Sequence, residues 1–428
     1  MKKSLQLTAA IFTLLFLNAK AQSPQLPNDQ CKVTSIGATD PIILKEQEEL
    51  EKFTADFISK NTNGGGCYVI PVVFHVYGTT QGGMPVNDVI IIDAMDKLNI
   101  DFHGLNPDYG TVHNSFLSIR DIMPDITFAL AEIDPIGNPT TGIVYHPAAS
   151  GFANGSGYDA AIQADAWDNY KYMNIYIQND LFDDAVTNNS GYAYYPSTGM
   201  SNNNTARIVY NGAYLGINCT WEPEFASTLT HEYGHWLNLI HTFDGGCVAP
   251  NDQVADTPPC DYLGTSYPCH PSGSANSPLN CMSQLINAEN YMDYSGATGC
   301  YKMFTQGQVS RMYAALSHPS RQPLWQMSNL IATGLDYLCS TAGINSYGTK
   351  NFKIAPNPSH GVFTIIPAFN NEQVNEVMVT NSIGQVVYSQ VLQSLGNISI
   401  DITGNSTGIY FLHIIQKNAV HTFKVIVE

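Results

Sequence analysis

The chain is poor in charge, and poorest in positive charge. Of its 428 residues only 13% are charged, and 18 Lys and Arg stand against 36 Asp and Glu, giving a formal net charge of −18. Phosphate repels such a surface, so no nucleic acid partner is expected, whereas basic polypeptides remain compatible with it. Long apolar runs are also scarce. Leu5 to Leu17 is too short to span a bilayer, and nothing else approaches the roughly 18 apolar residues a membrane helix needs, so no transmembrane segment is expected. Lys2 and Lys3 before that run and Ala19-Lys20-Ala21 after it make residues 1–21 a secretory signal peptide. All nine cysteines lie beyond it, where an oxidising compartment favours pairing, and nine leaves at least one over. With 44% hydrophobic residues the rest is globular, and its length suits two or three domains.

What the chain does have is concentrated in Thr230 to His241, THEYGHWLNLIH. On a helix, positions i and i+4 share a face, so His231 and His235 present two imidazoles to one metal ion. Nitrogen ligands at tetrahedral spacing suit Zn²⁺. Glu232 is placed beside the first ligand to take a proton from water at the metal. His241 can join them only if the chain turns sharply after Leu237.

This stretch resembles the metzincin metallopeptidases, whose pattern is H-E-x-x-H-x-x-G-x-x-H. Asn238 stands where the family has Gly; that position turns the backbone with positive φ, and Asn is the residue that tolerates it next best. Within the metzincins, IPVVFHVY, LNIDFHGLN, ITFALAEIDPIGNPTTGI, WDNYKYMNIYIQNDL, GYAYYP and NDQVADTPP occur in an order similar to the pappalysin family, over roughly residues 67–320. The resemblance implies a secreted zinc endopeptidase acting on protein or peptide substrates. It implies a methionine turn under the zinc, with Met292 of NYMDY as its methionine. Tyr294, two residues on, would be either a structural tyrosine or a phenol that hydrogen-bonds the oxyanion. Asp252 and Asp256 are carboxylates in a loop, which either cap turns or hold Ca²⁺, as pappalysin-like enzymes do near this stretch. By the same resemblance Cys247 is paired with Cys281 and Cys269 with Cys300, leaving Cys219 and Cys260 as candidate partners.

The residues themselves organise the chain as follows. Residues 22–66 read as a pro-segment holding a helix, KEQEELEKFTADFISK, and ending in a flexible joint, Asn61 to Gly66, suited to nicking. Cys31 lies alone in it. Some metzincin zymogens block the zinc with such a thiolate, and Cys31 is a candidate zymogen switch; alternatively it pairs with Cys67 or with nothing. Residues 67–335 form the catalytic domain. Strands are expected at Tyr68–Tyr77, Asp125–Ile133, Tyr172–Gln178, Ser190–Pro196 and Ala206–Tyr210, and helices at Asn87–His103, Ala160–Tyr170, Glu222–Leu237 and Thr305–Leu316. This alternation gives an α/β fold, a twisted mixed sheet plus helices. Residues 244–300 are rich in Gly, Pro, Ser and Cys and read as a loop-rich, disulfide-bonded carboxy-terminal subdomain. Gly191 to Pro196 is the candidate sheet edge for an extended substrate.

Residues 336–350 read as a linker. Residues 351–428 then alternate in seven short runs, an all-β sandwich. APNPSHGVF, NSIGQVV, STGIYFLHI and the terminal KVIVE resemble the carboxy-terminal sorting domain of the type IX secretion system of Bacteroidota. That implies the secretion machinery as a partner and a secreted or outer-membrane-surface location; an Ig-like binding module is the alternative. For the whole chain the rivals to a peptidase are a non-catalytic surface binding protein on a peptidase scaffold and a zinc amidase on small peptides.

Overall fold

The computed structural model describes residues 41–60, 66–121, 124–219, 223–248, 251–260, 279–295 and 300–340, and then 352–357, 359–367, 374–381, 385–394, 397–416 and 419–427. The signal peptide, Cys31, Cys269, residues 61–65 of the joint and most of the linker lie outside the described residues.

A ten-residue apolar strand, β1 (Tyr68–Tyr77), is buried along its whole length, as a strand covered on both faces must be. The minor hairpin β2 (Thr80–Gln81) and β3 (Met84–Pro85) leads into α2 (Asp88–Phe102), which Asn87 caps by accepting from the Ile90 amide. Then follow β4 (Ile126–Leu130), β5 (Ile143–His146), α3 (Asp159–Asp165), β6 (Met173–Ile177), β7 (Gly191–Ala193), α4 (Thr198–Asn202) and β8 (Ile208–Tyr210). They form a six-stranded sheet in the order β4-β1-β6-β8-β7, with β5 also on β1. Every pair is parallel except β7–β8, so the sheet is mixed as expected, and β7 is its antiparallel edge. Pro71 sits one residue before β6 begins to pair at Val72, where a missing N–H costs least.

One face of the sheet packs on α2 and on α5 (Thr228–Trp236) through Ile70, Val72, Phe74, Ile91, Leu98, Leu229 and Tyr233. The other face carries Tyr77, Phe152, Ile162, Tyr176, Tyr192 and Val209. Beyond α5, α6 (Gln306–Ser317) begins with a capping box between Thr305 and Gln308, followed by α7 (Met327–Thr333) and α8 (Tyr337–Ser340).

Several boundaries differ from the sequence reading, each for a local reason. α3 ends early because the Asn174 side chain accepts from the Trp167 amide and donates to its carbonyl, both at 2.8 Å, pulling that residue out of the helix. α5 starts at Thr228, after a 3-10 turn at Pro223–Ser227, because the Thr228 hydroxyl donates back to Phe225 O at 2.8 Å. Strand β5 was not anticipated; only Ile143 of its four residues is buried, so it lacks a long apolar pattern. Cys67 pairs with Cys339, 272 residues on, which rules out a Cys31–Cys67 pair in this structure and puts α8, expected in the linker, against the start of β1. Cys247 pairs with Cys281 as expected, and Cys300 is disulfide-bonded. Cys219 and Cys260 are not joined to each other: Cys219 packs with Phe225 and Ala226, Cys260 with Phe243, Ile286 and Ala288.

The helix expected in the pro-segment is α1 (Pro41–Lys60), and it docks tightly. Leu50 and Thr54 are buried, Glu51 forms a bidentate ion pair with the buried Arg311 of α6, and Phe53 stands edge-on to His318. Glu46 bonds Ser197 and the Gly199 amide at the start of α4.

After α8 come β9 (Phe352–Ala355), β10 (Val362–Pro367), β11 (Val374–Asn381), β12 (Val386–Ser394), β13 (Ile398–Asp401), β14 (Gly408–Gln416) and β15 (Ala419–Val427). These are the seven expected strands. They pair antiparallel in a three-stranded sheet, β13-β10-β9, and a four-stranded one, β12-β11-β14-β15, around a core that includes Phe352, Phe363, Val377, Leu412 and Val425. Among the described residues, no helix is long and apolar enough to cross a membrane.

Candidate active site

Every residue of α5 is buried. Its first turn is anchored from α2: Thr230 donates to the Asp101 carboxylate at 2.7 Å, and burial raises that carboxyl above its ordinary pKa although Lys97 stands 3.4 Å away. Its last turn ends in a Schellman motif, with the Leu239 amide on Gly234 O and the Asn238 amide on His235 O, both at 2.9 Å. Asn238 takes φ +68°, the left-handed turn expected where metzincins have Gly. Its side-chain amide donates to Thr54 of α1 at 3.1 Å, and its backbone carbonyl accepts from Arg311 at 2.5 Å.

That turn brings His241 back to His231 and His235. The Nε2 atom of His235 lies 3.0 Å from Nε2 of both other histidines. The Nδ1 atom of His231 is 2.6 Å from Tyr291 O, and Nδ1 of His235 is 2.7 Å from Leu239 O. A carbonyl only accepts, so both Nδ1 atoms carry hydrogen and both Nε2 atoms present lone pairs. Nδ1 of His241 faces Asp244 at 3.4 Å. Burial, and then the neighbouring imidazoles, push the pKa of His231 down to about 3 and that of His235 well below the ordinary value. Neutral lone pairs crowded together at a buried site repel one another, and a cation between them turns that repulsion into attraction. This donor set fits zinc, and among the described residues it is the one cluster with metal-ligand spacing.

Met292 is fully buried, and its sulfur packs against the helix so closely that a Cβ on Gly234 would stand 2.4 Å from it. The ring of Tyr294 is 4.9 Å from that of His241 and 5.9 Å from that of His231. Glu232 is buried at the edge strand, with Gly191 of β7 against its side chain. Asp252 and Asp256 lie apart from this cluster. The buried Asp252 accepts from Thr257 at 2.5 Å and from the Val254 amide, and burial raises its pKa to about 7. Asp256 caps α6, accepting from Thr305 at 2.7 Å and from the Gly307 amide at 2.8 Å.

Sequence reasoning missed Asp293. It is wholly buried, accepts from Thr242 at 3.1 Å and from the Tyr294 amide at 2.8 Å, and its pKa is pushed up to about 7 by burial. It therefore ties the segment of the third histidine to the methionine turn. The signal available was a lone carboxylate inside the apolar run NYMDY.

Residues 156–317 match the profile of a family described as Pregnancy-associated plasma protein-A, a Peptidase_M43 domain, and residues 353–428 match the secretion system C-terminal sorting domain. An extracellular metalloprotease of Verticillium alfalfae is 35% identical over 211 residues, 46% of this chain and 63% of that protein. One of Sordaria macrospora is 40% identical over 148 residues, 33% of this chain and 47% of that protein. The chain thus spans less than two thirds of the length of these curated relatives. A point mutant of promirolysin from Tannerella forsythia superposes with a TM-score of 0.56 at 26% identity, covering 71% of this chain and 98% of that one. Mature mirolysin of the same organism, in complex with a cleaved peptide, gives a TM-score of 0.50 at 29% identity over 63% and 99%.

The mixed sheet, the three-histidine turn and the methionine turn have the arrangement of a metzincin fold. Residues 156–317 are similar to the pappalysin peptidase domain and residues 353–428 to the type IX sorting domain.

Proposed function

We propose that this chain is a secreted zinc endopeptidase that hydrolyses peptide bonds in proteins, with Glu232 as general base. The observation that carries the reading is the buried convergence of three imidazole nitrogens at 3.0 Å, two of them with their protons committed to backbone carbonyls, beside a buried glutamate at the sheet edge. His231, His235 and His241 would hold the zinc, which when bound supplies a Lewis acid that acidifies water and polarises a carbonyl. Glu232 accepts the proton of the attacking water and returns it to the leaving amine. Tyr294, beside two of the histidines, donates to the carbonyl oxygen as charge develops on it. Met292 packs and does not ligate. The substrate lies extended along β7, the end strand of the sheet, adding a strand to it.

Calcium at Asp252 is a secondary part of the reading. The Asp252 carboxylate, the Thr257 hydroxyl and Val254 O converge within hydrogen-bond distance, an all-oxygen set suited to a hard cation, and a buried carboxylate held near pKa 7 is one a cation would ionise. Asp256 is engaged in capping α6, which favours the capping role there. Latency through a pro-segment of residues 22–66 with Cys31 as switch, export through residues 1–21 and the type IX machinery through residues 351–428, in a Bacteroidota-like bacterium, complete the proposal.

A dead scaffold used for binding is disfavoured because all three histidines and Glu232 are present and assembled. A zinc amidase is separated from an endopeptidase by digestion of a denatured protein mixture, which an amidase leaves uncut. The direct test is Glu232→Ala: zinc content stays at one per chain and cleavage is lost, whereas retained turnover overturns the general-base role.

A further inference from the structure

Gly191 opens β7 and pairs with Tyr210 in the antiparallel register. Glycine is a poor strand residue, and inside a strand it marks either an unusual backbone or a close approach. The backbone is not the reason, since Gly191 is absent from the residues of positive φ. Space is the reason. A Cβ at this position would stand 2.6 Å from Cγ, 2.6 Å from Oε1 and 2.7 Å from Cδ of Glu232, all closer than side chains pack. Side chains alternate along the strand: Tyr192 joins the core on the opposite face, while Ala193 joins the core that contains Leu229 and Tyr233 of α5. The residues facing the helix are thus the two smallest. Glu232 has little freedom to retreat, because α5 is pinned by Thr230 on Asp101 before it and by Met292 against Gly234 after it.

We propose that Gly191 is a positioning residue for Glu232: its missing side chain is the space the carboxylate occupies. The same residue supplies backbone to the sheet edge, so the general base and the substrate's strand are set at one fixed spacing. This rests on the peptidase reading above.

The test is a double-mutant cycle in the full-length protein after limited proteolysis in residues 61–66, reading zinc content, melting temperature and the pH profiles of kcat and kcat/KM on a peptide substrate. Glu232→Asp shortens the carboxylate arm by one methylene and withdraws it from position 191. Gly191→Ala alone is expected to keep its zinc and lower kcat on the order of 100-fold with little change in KM. In the Glu232→Asp background the same substitution is expected to cost less than about threefold. Wild-type kcat in Gly191→Ala, or an equal fold loss in both backgrounds, overturns the proposal. If Gly191→Ala fails to fold or to hold zinc, recovery of both in the Gly191→Ala/Glu232→Asp protein supports it, and no recovery overturns it. Glu232→Ala is run alongside, because retained activity there sinks the peptidase mechanism and not the steric claim.

Discussion

The two halves of the three-histidine cleft are built by different physics. The half before His241 is sheet and helix, positioned by continuous apolar packing in which Ile70, Val72, Phe74, Leu229 and Tyr233 share one core. The half after it is mostly turns, held by polar contacts and crosslinks: Asp293 to Thr242 and the Tyr294 amide, Lys302 to Glu289 at 2.6 Å, and Cys247 to Cys281. The first half places His231, His235 and Glu232 on one helix; the second places Met292 and Tyr294 around His241. Packed apolar side chains thus hold the first half, and buried polar contacts with a crosslink hold the second.

The largest expected effect is on the packed side. Phe74→Ala should remove about 3–5 kcal/mol in denaturant unfolding, and a loss near 1 kcal/mol would show that the sheet core is looser than drawn.

Next comes pH, where one buried group from each half, His75 and Asp293, should act with opposite sign. His75, on β1, is buried, and burial lowers its pKa to about 4. Between that value and its ordinary 6.5 the unfolded chain binds the extra proton, so its contribution is lost as pH falls through this window, by roughly 3 kcal/mol at most. Asp293 is raised to about 7. There the folded chain holds the extra proton, so its contribution is present below the ordinary carboxylate pKa and lost as pH rises through 7. Unfolding curves from pH 4 to 8 should therefore show a shallower acid slope in His75→Gln and a shallower opposing slope in Asp293→Asn. Equal slopes in all three proteins would erase the distinction.

On the loop side, Asp293→Ala leaves Thr242 and the Tyr294 amide without their acceptor. About 2 kcal/mol of stability should go, with activity falling more than stability predicts because Tyr294 loosens. A variant that loses stability but keeps full kcat would make Asp293 structural only.

The smallest effect is at the back of the turn. Glu51→Ala removes the partner of the buried Arg311, whose guanidinium also holds Asn238 O. A loss of about 1 kcal/mol is expected, since Glu51 is partly exposed, read as a lower melting temperature at unchanged zinc content.

What the sequence made legible follows the same division. Strand β1, α2 with its Asn87 cap, the seven strands of the sorting domain and the three histidines were readable because each rests on local period or spacing. Even the left-handed turn at Asn238 followed from the place of one residue in a motif. Contacts between distant segments were not readable. The Cys67–Cys339 bridge spans 272 residues, β5 is a strand only because β1 is beside it, and Thr54 meets Asn238 across 184 residues. Asp293 and Gly191 declare themselves only once Thr242 and Glu232 are seen against them.

The most direct measurement is zinc content and protein cleavage on one purified sample each of the wild type and Glu232→Ala, before and after limited proteolysis in residues 61–66. One zinc per chain in both proteins, with cleavage of denatured casein only by the nicked wild type, is the predicted result. A zinc-loaded wild type that leaves casein intact in either form, or a Glu232→Ala protein that still cuts it, would contradict the account.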